Sequence, residues 1–169
     1  MILKINNGNG PDLLGVCEVE NRYVLELLLS ALEPLSRTYA IVHYEMSDQR
    51  GIDVAFIYDS KLFKATDNFS HYIIKRTATR DLFQVNFRTT KDRLLIVIGN
   101  HWPARSAGQY KSEPCRIIAG ETLAYFHQSI QEEHGKDASV LVMGDFNDET
   151  HDQSLAEYAL CERTRIKVM

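Results

Sequence analysis

Short apolar runs alternate along this chain with stretches where apolar residues recur at helical spacing, and that alternation limits it to an α/β architecture. Leu13-Leu14-Gly15-Val16-Cys17 has the continuous apolar character of a buried central strand, and Glu18 closes it. Tyr23, Leu27, Leu28, Ala31 and Leu32 repeat at helical spacing and predict a helix over 22–32, stopped by Pro34. Strands are predicted over 40–44 and 52–58. Partial alternation over 68–75 and 81–89 predicts two antiparallel neighbours, the second leading through Lys91-Asp92 into the buried strand 94–98. A long amphipathic helix over 113–133 follows, with Pro114 in its first turn, then a buried strand over 140–143 and a short helix over 154–160.

Composition narrows the class further. The chain has 169 residues, 44% hydrophobic and 25% charged, which suits one soluble globular domain over 1–169 and argues against disorder or a fibrous repeat. No apolar run approaches the roughly 20 residues needed to cross a bilayer. The start, Met1-Ile2-Leu3-Lys4-Ile5-Asn6, has no signal-peptide pattern, so a cytoplasmic location is the default expectation. Cys17, Cys115 and Cys161 are odd in number and far apart, fit neither a disulfide framework nor a zinc spacing, and read as reduced core residues. A net charge of −4 argues against a surface that holds nucleic acid by phosphate neutralisation alone, although an acidic cleft loaded with divalent cations still receives a phosphodiester.

Three of the predicted strands end in residues that packing does not explain: Glu18, His101, and Asp145 with Asn147. Ligand sites in α/β sheets gather at the carboxyl ends of strands, so these groups are expected to converge on one crevice. Asp145 and Asn147 are two apart, which in extended chain places both side chains on one face and turns Phe146 to the other. Gly144 leaves room for a ligand to approach the backbone. Two carboxylates and an amide oxygen are hard ligands that suit Mg²⁺ or Mn²⁺ better than zinc.

Four segments carry a family resemblance: Pro11-Asp12-Leu13-Leu14-Gly15-Val16-Cys17-Glu18-Val19-Glu20-Asn21, Arg50-Gly51-Ile52-Asp53-Val54-Ala55-Phe56-Ile57-Tyr58, Asn100-His101-Trp102-Pro103-Ala104-Arg105 and Gly144-Asp145-Phe146-Asn147-Asp148. In order and approximate spacing they resemble the endonuclease/exonuclease/phosphatase (DNase-I-like) superfamily, and together they cover most of the chain. The resemblance implies a four-layer α/β sandwich, two packed mixed β-sheets flanked by helices. It also implies Mg²⁺- or Mn²⁺-dependent hydrolysis of a phosphate ester, with nucleic acid among the substrates that relatives cut. By that resemblance Glu18 binds the metal, Asp145 shares the metal site and orients or deprotonates the attacking water, Asn147 positions the phosphate, and His101 contacts the scissile phosphate.

Other positions admit two readings. Arg50 and Arg105 are phosphate-side cations or plain surface arginines. Asp53, on an otherwise apolar strand, accepts the His101 ring N–H or makes a structural hydrogen bond. Trp102 stacks on a substrate ring or packs under its loop.

Departures from the family pattern set a second expectation. The family opens with a strand ending in a metal-side Asn and closes with an Asp and an Asp-His pair; after Asn147 this chain offers only 148–169, without an Asp-His. The chain therefore reads as a partial domain, incomplete at both ends and feeble as a catalyst. It is either an enzyme whose missing groups come from elsewhere, or a fragment that folds and binds metal or phosphate without turnover. Sheet edges left bare by the missing strands predict a homo-oligomer, or a second chain that supplies the missing segment.

Overall fold

The computed structural model describes residues 2–46, 51–74 and 80–159. In chain order its main elements are β1 (Leu13–Val19), α1 (Arg22–Leu32), β2 (Tyr39–His43), β3 (Asp53–Asp59), β4 (Phe63–His71), β5 (Leu82–Thr89), β6 (Leu94–His101), α2 (Gln109–His134) and β7 (Val140–Asp145). A short helical turn, Ser154–Tyr158, follows.

Alternation on the strands builds the layers. On β3, Val54 and Phe56 turn one way, into a core with Phe83, Val85 and Phe87 of β5 and Val97 of β6. Ala55 and Ile57 turn the other way and meet Leu25 and Leu32 of α1. On β6, Ile96 and Ile98 face Ala119, Leu123 and Ile130 of α2. The order is therefore α1, sheet β1-β3-β2, sheet β4-β5-β6-β7, α2, the four-layer sandwich expected. Phe56 and Phe83 stack across the middle at 5.7 Å, with Phe87 edge-on to Phe56 at 6.5 Å. Burying each of these rings stabilises the fold by about 1.5–3 kcal/mol.

Several details depart from the sequence reading. The first sheet is antiparallel throughout, and only the second is mixed, through its parallel β6–β7 pair. β1 is not central: among the described residues it pairs with β3 alone and is mostly half-buried. The buried stripe of α1 is Leu25, Leu28, Leu29 and Leu32, while Tyr23 and Leu27 are exposed, because they flank the polar row Arg22, Glu26 and Ser30. β4 begins at Phe63 and ends at His71 rather than spanning 68–75, and a bulge between Ala65 and Asp67 interrupts the alternation that would have marked its first half. α2 begins at Gln109 and holds Pro114 in its second turn; the solvent-facing Gln109, Tyr110 and Lys111 carry no apolar signal.

Cys17 and Cys115 are free and half-buried, and Cys161 and Leu160 lie outside the described residues. Among the described residues no helix is long and apolar enough to cross a membrane.

Candidate active site

The carboxyl ends of β1, β6 and β7 meet at one end of the sandwich. Strict alternation would turn Glu18 outward like Val16, toward α1. Instead the pairing skips it, running Cys17 to Val54 and then Val19 to Asp53. Glu18 takes the left-handed conformation, φ 60°, so Val19 fills the outward position against α1 and the glutamate stays exposed. A non-glycine residue held there stores backbone strain, the kind of outlier that collects at functional sites.

On the other sheet β6 and β7 run parallel, pairing Asn100 with Gly144 and His101 with Asp145. Gly144 is required: at φ 138° a Cβ would lie 2.0 Å from the Asn100 carbonyl oxygen. The His101 ring is 5% exposed, and its Nε2 lies 3.9 Å from Glu18 Oε1 and 3.9 Å from Asp145 Oδ2. The two carboxylate oxygens are therefore at most twice that distance apart. Its buried Nδ1 has no hydrogen-bond partner among the described residues.

β7 stops at Asp145, so the extended geometry expected for Asp145 and Asn147 does not persist. Asn147 is left-handed, φ 52°, and its amide donates back to Asp145 Oδ1 at 2.9 Å. Its side-chain Nδ2 donates to the Trp102 carbonyl at 3.0 Å, which tethers it beside His101.

At three positions that admitted two readings the contacts are structural. Asp53 does not orient His101: its Oδ2 pairs with the His43 ring at 2.9 Å and its Oδ1 accepts the Met46 amide. The β2–β3 register places His43 opposite Ala55, two residues from Asp53 and on the same side of the sheet. Arg105 is tied into the loop: its Nε donates to the Asn147 carbonyl at 2.6 Å and one terminal nitrogen meets Asp152 at 2.8 Å and Asp148 at 3.1 Å. The Glu149 amide, helped by Arg105, holds the Asp152 carboxyl below the usual range. Trp102 is fully buried, donates to Asn100 Oδ1 and packs edge-on to Phe146, so it lies under the loop. Arg50 lies outside the described residues.

Sequence reasoning missed the groups that hold this loop. Buried Arg80 donates to the carbonyls of His101 and Trp102. Fully buried Arg116 pairs with Asp148 at 2.7 Å. A signal for Arg116 was present: it falls on the α2 stripe of Ala119, Leu123 and Ile130, where an arginine is out of place unless paired.

A cavity of about 300 Å³ lies between the sheets and reaches Asp145, lined also by Gly15, Cys17, Val54, Phe56 and Met143 among others. The Cys17 thiol donates to the Asn100 carbonyl, and burial pushes its pKa up, so it stays protonated. Among the described residues no three His, Cys, Asp or Glu side chains converge to enclose a metal ion. Two exposed carboxylates facing one point do fit a hard divalent cation that keeps much of its water.

Comparison with known proteins agrees with this architecture. Among curated protein sequences nothing matches. Among solved structures, the human Nocturnin catalytic domain with bound sulfate aligns with a TM-score of 0.68 at 20% identity, over 88% of this chain and 56% of that one. Truncated Caenorhabditis elegans TDP2 aligns at 0.66 and 17%, over 90% and 54%. ANGEL2, a 2',3'-cyclic phosphatase, aligns at 0.66 and 14%, over 86% and 42%. The chain thus spans about half the length of the structures it matches, and at these identities the likeness is one of fold. The profile of the endonuclease/exonuclease/phosphatase family, whose members are hydrolases of phosphoester bonds, matches residues 1–168, and the chain belongs to that family.

Proposed function

We propose that this chain carries the metal-side half of a phosphodiester-hydrolysing site that acts on nucleic-acid-like substrates with Mg²⁺ or Mn²⁺. The observation that carries the reading is the meeting of Glu18 and Asp145, from opposite sheets, on His101 Nε2. Glu18 and Asp145 would hold the ion, which when bound withdraws charge from the phosphoryl oxygens. His101 Nε2, facing both carboxylates, would donate a hydrogen bond to a phosphoryl oxygen. Asp145 Oδ2, not used by the Asn147 amide, is placed to orient the attacking water. Asn147, tethered at Trp102, would position the same phosphate.

Hydrolysis of bis(p-nitrophenyl) phosphate with Mn²⁺ or Mg²⁺, abolished by EDTA, tests this. Glu18→Gln and His101→Ala should each lower the rate by about 10²- to 10⁴-fold. Equal rates in wild type and both variants would overturn it.

One observation favours a second reading, a body that binds metal or phosphate without turnover. Glu18 and Asp145 side chains are 71% and 57% exposed, and among the described residues no third carboxylate or second imidazole joins them. Mn²⁺ binding with no hydrolysis would select that reading.

A further inference from the structure

The loop that carries Asp145 is wired to the middle of α2. Arg116 and Asp148 side chains are 0% and 1% exposed, with Nε 2.7 Å from Oδ2. Arg116 also donates to Ser112 Oγ at 2.7 Å, and Ser154 Oγ donates to the same carboxylate. A charge pair buried this deeply is often replaceable by apolar residues without loss of stability, so its presence suggests a use beyond holding the fold.

The bonds that leave the pair point to that use. Asp148 Oδ1 lies 3.1 Å from the Arg105 guanidinium as an ion pair without hydrogen-bond geometry, and Arg105 Nε donates to the Asn147 carbonyl at 2.6 Å. Asn147 in turn donates its amide to Asp145 and its side chain to the Trp102 carbonyl. That carbonyl and the His101 carbonyl are held by Arg80. The chain of contacts thus runs from the helix core through Asp148, Arg105 and Asn147 to both groups that face Glu18. Asparagine tolerates the left-handed conformation without help, so what the contacts add is its placement, through backbone carbonyls gripped by guanidinium groups.

We propose that Arg116 is a positioning residue: through Asp148 and Arg105 it sets the turn at Asn147 and thereby aims Asp145 at His101. The proposal rests on the functional reading above for its consequence in catalysis, and on geometry alone for the positioning. A lysine would keep the charge but lose the fork that reaches Asp148 and Ser112 together.

The experiment uses the full chain with two variants, Arg116→Lys and the paired Arg116→Met/Asp148→Leu, which leaves neither charge buried alone. In ¹⁵N-labelled protein the Asn147 amide should exchange with solvent about tenfold faster in the paired variant, while the Ile98 and Val142 amides keep their protection. kcat on the phosphodiester should fall by about 10²-fold with KM little changed, and the lysine variant should recover part of it. Unchanged Asn147 exchange in a folded paired variant would overturn the positioning role. Should the wild type itself neither bind Mn²⁺ nor hydrolyse the ester, the functional reading fails, and the exchange result still decides the positioning.

Discussion

Nε2 of His101 lies 3.9 Å from Oε1 of Glu18, although the two residues belong to different sheets and are joined by no backbone hydrogen bond. Their meeting depends on how the sheets pack, and Asp145 completes the arrangement from the strand next to His101. A metal site built this way requires both carboxylates. Calorimetric titration with Mn²⁺ should show weak binding that is lost in Glu18→Gln and in Asp145→Asn, with the fold intact by circular dichroism; full affinity in both variants would remove the site as drawn.

The left-handed backbone of Glu18 predicts an opposition between stability and function. Glu18→Gly relieves the strain at φ 60° and should raise unfolding stability by up to about 1 kcal/mol, the gain being limited by the greater freedom of glycine in the unfolded chain. The same change removes the carboxylate and with it any Mn²⁺ binding. Urea unfolding read by tryptophan fluorescence measures the first effect, and a lower midpoint for the glycine variant would contradict it.

Gly144 should tolerate nothing larger. A Cβ would meet the Asn100 carbonyl oxygen at 2.0 Å, a backbone atom held within the parallel β6–β7 pair. Gly144→Ala should therefore cost at least about 2 kcal/mol and displace Asp145. Gly99→Ala meets Val54 and Phe56 side chains at 2.6 and 2.8 Å and should cost about 1–3 kcal/mol, with the site itself preserved. Thermal unfolding of the two variants, compared with their Mn²⁺ affinity, separates the effects.

Acid should weaken the fold through two buried histidines. Burial pushes the His71 ring below the ordinary histidine value; the Gln84 hydrogen bond at 2.7 Å and the charge of Asp81 oppose that shift only in part. Burial lowers His127 as well. With folded values depressed, the unfolded chain takes up protons first. Stability is then complete above the unfolded value of about 6.5 and declines as pH falls through the lower folded values. Denaturant unfolding at pH 7.5 and 5.5 should show the loss, and His71→Gln should flatten part of it. A flat profile in the wild type would contradict the assignment.

Among the described residues β1 pairs on one side only, with β3, and β7 on one side only, with β6. Open edges of this kind recruit other strands. We expect the 169-residue chain to self-associate, and light scattering during size exclusion across a tenfold dilution series tests it. A sharp peak at 19.4 kDa throughout would mean the edges are protected within one chain.

The α/β class, the strands around Phe56 and Ile98, the span of α1 and the three strand ends at Glu18, His101 and Asp145 were legible in the sequence. Each is written in local periodicity or in a polar residue that closes an apolar run. What escaped it depended on partners far along the chain. Asp53 belongs to His43 because the β2–β3 register brings those two together, and Arg105 is spent on Asp152, 47 residues away, because the loop after β7 folds back over it. Alternation would have turned Glu18 toward α1, and only the bulge at a left-handed residue frees it from that position. Period and composition specify which side of an element is apolar. Which charge answers which is decided by strand register and by the packing of one sheet on another, and those are properties of the assembled fold.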